Sequence, residues 1–182
     1  MSADLAIFGG EPIRKEPFPV WPRITEEMKR SLIHTFEKEQ WGVGSKTITL
    51  FNEQFATMQD AEYCLSIHSG TSAIWICLKA AGIEAGDEVI LPSYTFIATA
   101  SAVVLANAVP VFADIDKKTA NLDPTSVEKL ITKKTKAIIP VHTAGAPADM
   151  KAFLDISKKY NIPIIEDADQ CHGSMIDKKR VG

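Results

Sequence analysis

NIPIIEDADQCHG, residues 161–173, is the stretch whose reading decides the fold. Ile162, Ile164 and Ile165 flank Pro163 in a short apolar run, which predicts a buried strand of a parallel sheet. The run stops at Glu166 and Asp167, and Asp169, Gln170 and His172 follow within a few residues. Ligands of open α/β sheets collect beyond the carboxyl ends of the strands. A carboxylate at such an edge is either a helix cap or a site residue, and this stretch alone leaves both open.

Upstream, the chain keeps the same rhythm. MKAFLDISKKY (150–160) reads as a helix and KAIIPV (136–141) as a strand. Asp123 caps a helix that begins at Pro124, where a missing N–H costs nothing. VPVFADI (109–115) and EVILP (88–92) are strands, and SYTFIATASAVVLAN between them is a helix. AIWICLKAAG is a helix closed by Gly82, HSGTS the turn before it, and YCLSI (63–67) a first strand. Strands alternating with helices predict an α/β fold, a mostly parallel sheet with helices on both faces.

Further upstream, Ile48, Phe51, Phe55 and Met58 mark a helix capped by Ser45 or Thr47, and QWGVGSK before it is a loop. Ile24, Met28, Leu32 and Phe36 mark an amphipathic helix ending near Glu39, its first turn carrying Glu26 and Glu27. Residues 1–22 hold Pro12, Pro17, Pro19 and Pro22 and are expected to be an extended arm. Downstream of the opening stretch, SMIDKKRVG reads as the first half of a hairpin lacking its partner.

A length of 182 residues suits one domain burying about 70% of its unfolded surface. With 46% hydrophobic and 24% charged residues, the composition is that of a soluble globular protein. A net charge of −3 without a basic stripe argues against nucleic acid and acidic membranes as partners. MSADLAIFGG lacks a signal-peptide pattern, and the apolar runs are too short for a membrane span. Cys64, Cys77 and Cys171 are widely spaced without a CxxC pair. They are expected to be reduced and buried in a cytoplasmic protein, with no metal site.

Three strand ends carry the candidate chemistry. Gly70, Thr71 and Ser72 open a helix, where amides and hydroxyls suit a phosphate; taken alone, the motif reads first as a plain N-cap. Tyr94 and Phe96 follow Pro92, each either a ring to stack on a planar ligand or core filling. Asp167 and Gln170 lie three apart, so one turn aims both at the same object. The carboxylate there calls for a cationic partner such as a protonated ring nitrogen. His142 and His172 read as structurally bonded histidines rather than bases. The pairs Lys117-Lys118, Lys133-Lys134 and Lys158-Lys159 read as solvated surface. Cradle, stacking ring and carboxylate together describe a site for pyridoxal 5'-phosphate (PLP).

These blocks resemble the DegT/StrS family of PLP-dependent aminotransferases acting on keto sugars and cyclic ketones. SGTSAI is similar to its phosphate turn, GDEVILPSYTFIATASAV to the block with the stacking aromatic, and EDADQCHG with KKRVG to its later cofactor segment. The resemblance implies that Gly70, Thr71 and Ser72 bind the phosphate and that Phe96 stacks on the ring. It implies that Asp167 keeps the ring nitrogen protonated and that Gln170 meets the ring hydroxyl. It further implies a homodimer that takes nitrogen from glutamate or glutamine and passes it to a keto-sugar or cyclitol ketone. LAIFGGEPIR and FPVWP are similar to the branch holding scyllo-inosose aminotransferases and aminohydroxybenzoate synthases. HTAG after PV, and Asp169 and Cys171, depart from the family's commonest wording.

In that frame residues 23–182 are the N-terminal part of the PLP-binding large domain, and the Schiff-base lysine is expected beyond Gly182. The chain alone is expected to be inactive. Two alternatives stay open: a sugar dehydratase or deoxygenase with histidine in place of that lysine, and a truncated, non-catalytic binding or interaction module. A dinucleotide-binding domain would need GxGxxG, which HSGTSA does not supply.

Overall fold

Side chains of successive strand residues alternate between the two faces of the sheet here, and both faces are covered by helices. The computed structural model describes residues 5–38 and 41–182. Contacts divide the chain into two units, Met1–Thr49 and Leu50–Gly182.

In the first unit, Ala6–Phe8 forms one 3-10 turn within an otherwise irregular, exposed arm. Helix α1 spans Glu26–Glu37; Thr25 Oγ1 accepts the Met28 amide, and Glu26 and Glu27 sit in the first turn, where the helix dipole favours them. The expected end at Glu39 lies outside the described residues. Met28, Leu32 and Phe36 of its apolar stripe are exposed. Helix α2 spans Lys46–Met58 and so crosses the boundary between the units. Of the two expected caps, Ser45 is the one used, its Oγ accepting the Thr47 amide at 3.2 Å.

In the second unit, helix α3 (Gly70–Ala80) is capped by Ser69 and closed by Gly82, whose φ of 79° is open to glycine at no steric cost. Strand β1 (Glu88–Pro92), helix α4 (Ile97–Leu105) and strand β2 (Val109–Ala113) follow. Helix α5 (Pro124–Leu130), strand β3 (Thr135–Ile138) and helix α6 (Met150–Tyr160) complete the alternation. The sheet is parallel in the order β2-β1-β3. Val89, Leu91, Ala137 and Ile139 pack beneath Ile74, Leu78 and Val103 of α3 and α4. Ile90 and Ile138 face Val127, Phe153 and Ile156 of α5 and α6 on the other side. Each fully buried Leu, Ile or Phe contributes ~1.5–3 kcal/mol, so two such layers hold the sheet.

Three expectations are corrected. Residues 63–67 form no strand: among the described residues no neighbouring strand pairs with them, and the Ser66 amide bonds Asn52 Oδ1 at 3.0 Å instead. Residues 162–167 run parallel to β3 and the residues that follow it but, among the described residues, meet them only through isolated bridges, Ile138 to Ile164 and Val141 to Asp167. Pro140 and Pro163 each lack the N–H that a continuous ladder needs. The terminal hairpin closes on itself: β4 (Met175–Ile176) pairs antiparallel with β5 (Lys179–Arg180). Its turn residues Asp177 and Lys178 both have positive φ, the geometry of a tight two-residue hairpin. No helix among the described residues is long and apolar enough to cross a membrane.

Candidate cofactor site

Strand β1 is flanked by strands reached through connections running to opposite sides, which is where an open parallel sheet leaves a crevice at its carboxyl edge. A cavity of about 540 Å³ lies there, within the ~300–1,000 Å³ usual for small-ligand sites. Its lining includes Gly70 and Thr71 from α3, Phe96 and Thr99 from α4, and Asp167 and Gln170 beyond the last strand segment. Sequence-predicted residues from three separate segments thus meet in one place.

Gly70 and Thr71 are the first residues of α3, so their amides have no acceptor within the helix and point outward with its positive end. Phe96, the N-cap of α4, lines the cavity and is 72% exposed. Tyr94 is also exposed but does not line the cavity, so neither ring fills the core. Asp167 Oδ2 accepts the Thr99 hydroxyl at 2.8 Å. Gln170 Oε1 accepts the Ala144 amide at 2.8 Å, which leaves its amide NH₂ as the free donor. Ser72 is not among the lining residues. Its hydroxyl meets His68 Nε2 at 2.9 Å and the Ser69 hydroxyl at 3.1 Å.

His142 is wholly buried, as expected of a bonded histidine. Its Nδ1 accepts the Ala148 amide at 3.0 Å, so Nε2 carries the proton donated to Glu166 at 2.9 Å. Burial raises the Glu166 carboxyl, but the hydrogen bonds from His142 and the Gly182 amide outweigh it and leave the group below its ordinary value. His172 is exposed, its ring edge against Phe55. Burial pushes the Cys171 thiol up, and the nearby Glu166 and Asp167 charges add to the effect. Cys171 alone of the three cysteines is buried; Cys64 is half-buried and Cys77 exposed, correcting the expectation for both.

Several supporting residues carry no local signal. Asn121 is buried and ties down the loop before α6: its amide donates to the Ala146 and Pro147 carbonyls, and its Oδ1 accepts the Thr143 amide at 3.0 Å. That loop presents the Ala144 amide to Gln170. Thr99, Glu166 and Gly182 likewise act on partners distant in sequence, 68, 24 and 16 residues away. A Cβ placed on Gly182 would fall 2.6 Å from the Ala168 Cβ, so the end of the hairpin fits only as glycine.

The donor set fits a phosphorylated, cationic, planar group: open helix amides, an uncovered ring and a carboxylate without a cationic partner among the described residues. One residue works against a phosphate. Asp169 Oδ1 stands 3.1 Å from where a Gly70 Cβ would be, at the mouth of the cradle.

Residues 22–182 match the model of the DegT/DnrJ/EryC1/StrS aminotransferase family. The chain is 40% identical over 187 residues to the L-glutamine:2-deoxy-scyllo-inosose aminotransferase of Streptomyces kanamyceticus, covering 100% of this chain and 44% of that protein. It is similar to the crystal structure of 3-amino-5-hydroxybenzoic acid synthase, with TM-score 0.87, 38% identity, and 91% and 44% of the two chains covered. It is also similar to a Bacillus subtilis protein solved with its cofactor PMP, with TM-score 0.78, 34% identity, and 92% and 39% covered. The chain spans about 44% of the length of the curated relatives it matches. On the residues matched and the fold they share, the chain belongs to the DegT/DnrJ/EryC1/StrS aminotransferase family.

Proposed function

We propose that this chain supplies the cofactor half of a PLP-dependent aminotransferase acting on a cyclitol or keto-sugar ketone, with L-glutamine as amino donor. The observation that carries this reading is the meeting of Asp167, Gln170, Phe96 and the Gly70–Thr71 amides around one cavity. The inosose aminotransferase relative supports the donor and the acceptor class.

Each residue has a distinct task. The Gly70 and Thr71 amides, with the Thr71 hydroxyl, would hold the cofactor phosphate at the positive end of α3. Ser72 would join them only by giving up its bond to His68. The Phe96 ring would cover one face of the cofactor ring and exclude water. Gln170, fixed through its oxygen, would donate its NH₂ to the ring oxygen. Asp167 would hold a proton on the ring nitrogen. When bound, PLP supplies an electron sink for the negative charge left at the donor α-carbon. Lysine attachment and substrate contacts would come from outside these 182 residues, and a second copy of the chain would complete the site.

The full-length protein should aminate 2-deoxy-scyllo-inosose in the presence of L-glutamine, with the amine product followed by mass spectrometry. A full-length protein holding PLP but inert toward cyclitol and keto-sugar ketones would sink the acceptor assignment. Asp169 bears on cofactor affinity alone. Removing its charge in Asp169→Asn should tighten PLP binding by about three- to tenfold, the size of one relieved like-charge contact near water. Fluorescence titration reads this directly, and equal or weaker binding would show that Asp169 does not oppose the phosphate.

A further inference from the structure

We propose that Thr99 is the positioning residue for Asp167, and that Thr95 orients Thr99 in turn. The inference rests on the functional reading above, in which Asp167 meets the cofactor ring.

Thr99 is fully buried in the first turn of α4, among neighbours Ala100, Ala102 and Val103 that are all apolar. A valine would fill that space with the same shape. The hydroxyl therefore needs a reason to be there, because a buried polar group is kept only where it is bonded. A helical serine or threonine commonly satisfies its hydroxyl on the carbonyl one turn back, as Ser101 does on Ile97 at 3.0 Å. Thr99 does not. Its Oγ1 lies 2.8 Å from Asp167 Oδ2, a partner 68 residues away, and 2.9 Å from Thr95 Oγ1.

Donor accounting fixes the direction of this chain. An ionised carboxylate only accepts, and a hydroxyl has one proton. The Thr99 proton goes to Asp167, so Thr95 must donate to Thr99. Asp167 Oδ2 is thereby held from the helix side, while among the described residues Oδ1 has only the Asp169 amide at 3.5 Å, the outer limit of a hydrogen bond. One oxygen is anchored and the other remains for a ligand. A site of this kind works only when its first contact is held by its supporting groups to within about 0.5 Å. The Asp167 backbone is bonded on both sides, its amide to the Pro140 carbonyl at 2.9 Å and the His142 amide to its carbonyl at 3.1 Å, but those bonds put no restraint on the side-chain torsions. The Thr99 bond supplies it.

The test compares Thr99→Val, Thr99→Ser and Thr95→Val in the full-length protein loaded with PLP. Three quantities are read: PLP affinity, the pH midpoint of the bound cofactor's absorbance change, and the unfolding midpoint. Thr99→Val should weaken PLP binding by about tenfold, as losses of supporting hydrogen bonds do at other sites, and should move the absorbance midpoint. Thr99→Ser keeps the hydroxyl and should restore both to near the parent. Thr95→Val leaves the bond to Asp167 in place and should show a smaller loss; it carries the test if Thr99→Val does not fold. A lower unfolding midpoint for Thr99→Val with an unmoved absorbance midpoint would overturn the proposal. So would a serine variant as impaired as the valine. If Asp167→Ala itself leaves PLP affinity and the absorbance midpoint unchanged, the functional reading fails and this inference with it.

Discussion

Replacing Asp167 with Ala in the full-length protein should lower transamination by about 10²- to 10³-fold while leaving the unfolding midpoint close to the parent's. The two halves of this expectation have separate causes. In the role proposed for Asp167, the rate should fall because a proton on the cofactor ring nitrogen is held by a fixed negative charge in a partly desolvated site. The fold survives because Asp167 is only half-buried and because Thr99, its one short side-chain partner among the described residues, keeps its bond to Thr95. Asp167→Asn sharpens the test. The amide can still accept the Thr99 hydroxyl, but it carries no charge to hold the proton. Steady-state rates within about twofold of the parent for both variants would refute the assigned role.

His142→Ala should cost about 2–4 kcal/mol of stability. The imidazole is wholly buried and holds two groups at once, the Ala148 amide and the Glu166 carboxylate. Its removal leaves a void, an unpaired amide in the loop before α6, and a carboxylate without its side-chain donor. The cost is kept below that of a fully buried ion pair because the Glu166 side chain is 28% exposed. Urea midpoints with an unchanged m-value would measure it; a shift under about 0.5 kcal/mol would contradict the structural role. His172→Ala, by contrast, removes an exposed ring and should be nearly neutral.

The same pair predicts a pH dependence. The Glu166 carboxyl is held below its ordinary value of 4.5 in the folded state, so its charged form favours folding at neutral pH. That contribution is fully present above the unfolded-state value and is lost as the pH falls through the lower folded-state value. Glu166→Gln should therefore be less stable than the parent at pH 7, and the gap should close below about pH 4.5. A gap that widens in acid would reverse the sign and exclude the linkage.

The parts of the fold that were legible in the sequence are those with strong local signals. Asp123 followed by Pro124 marks the start of α5 by chemistry confined to two residues, and Asp123 Oδ1 indeed accepts the Thr125 amide at 2.9 Å. EVILP is bounded by charge on one side and proline on the other, and it coincides with β1. Residues 63–67 fail for the opposite reason: a strand is defined by its neighbour, and the alternation in YCLSI cannot say whether one is present. The isoleucines of segment 162–167 predict a strand, while the break depends on Pro163 together with Pro140, a residue of the neighbouring segment that the local pattern does not pair with it.

The candidate site divides the same way. Gly70, Phe96, Asp167 and Gln170 stand at strand ends or helix starts, so topology alone brings them to one edge. Thr99, Asn121, Glu166 and Gly182 work through partners far along the chain, 68 residues for Thr99 and 22 for Asn121. In one dimension Thr99 is an unremarked polar residue in an apolar helix. Only packing α4 against the sheet edge gives its hydroxyl a carboxylate to meet.

The most direct test of the cofactor assignment is the intact mass of the full-length protein from its native source after borohydride reduction, with and without prior L-glutamine. Borohydride fixes PLP to the lysine that holds it. One pyridoxyl adduct, lost when L-glutamine is added first, is the predicted result: it means a lysine-held cofactor that accepts nitrogen from this donor. A full-length protein with no adduct under either condition would contradict it, and would turn the same cavity toward a histidine-bearing dehydratase or a non-catalytic binding role.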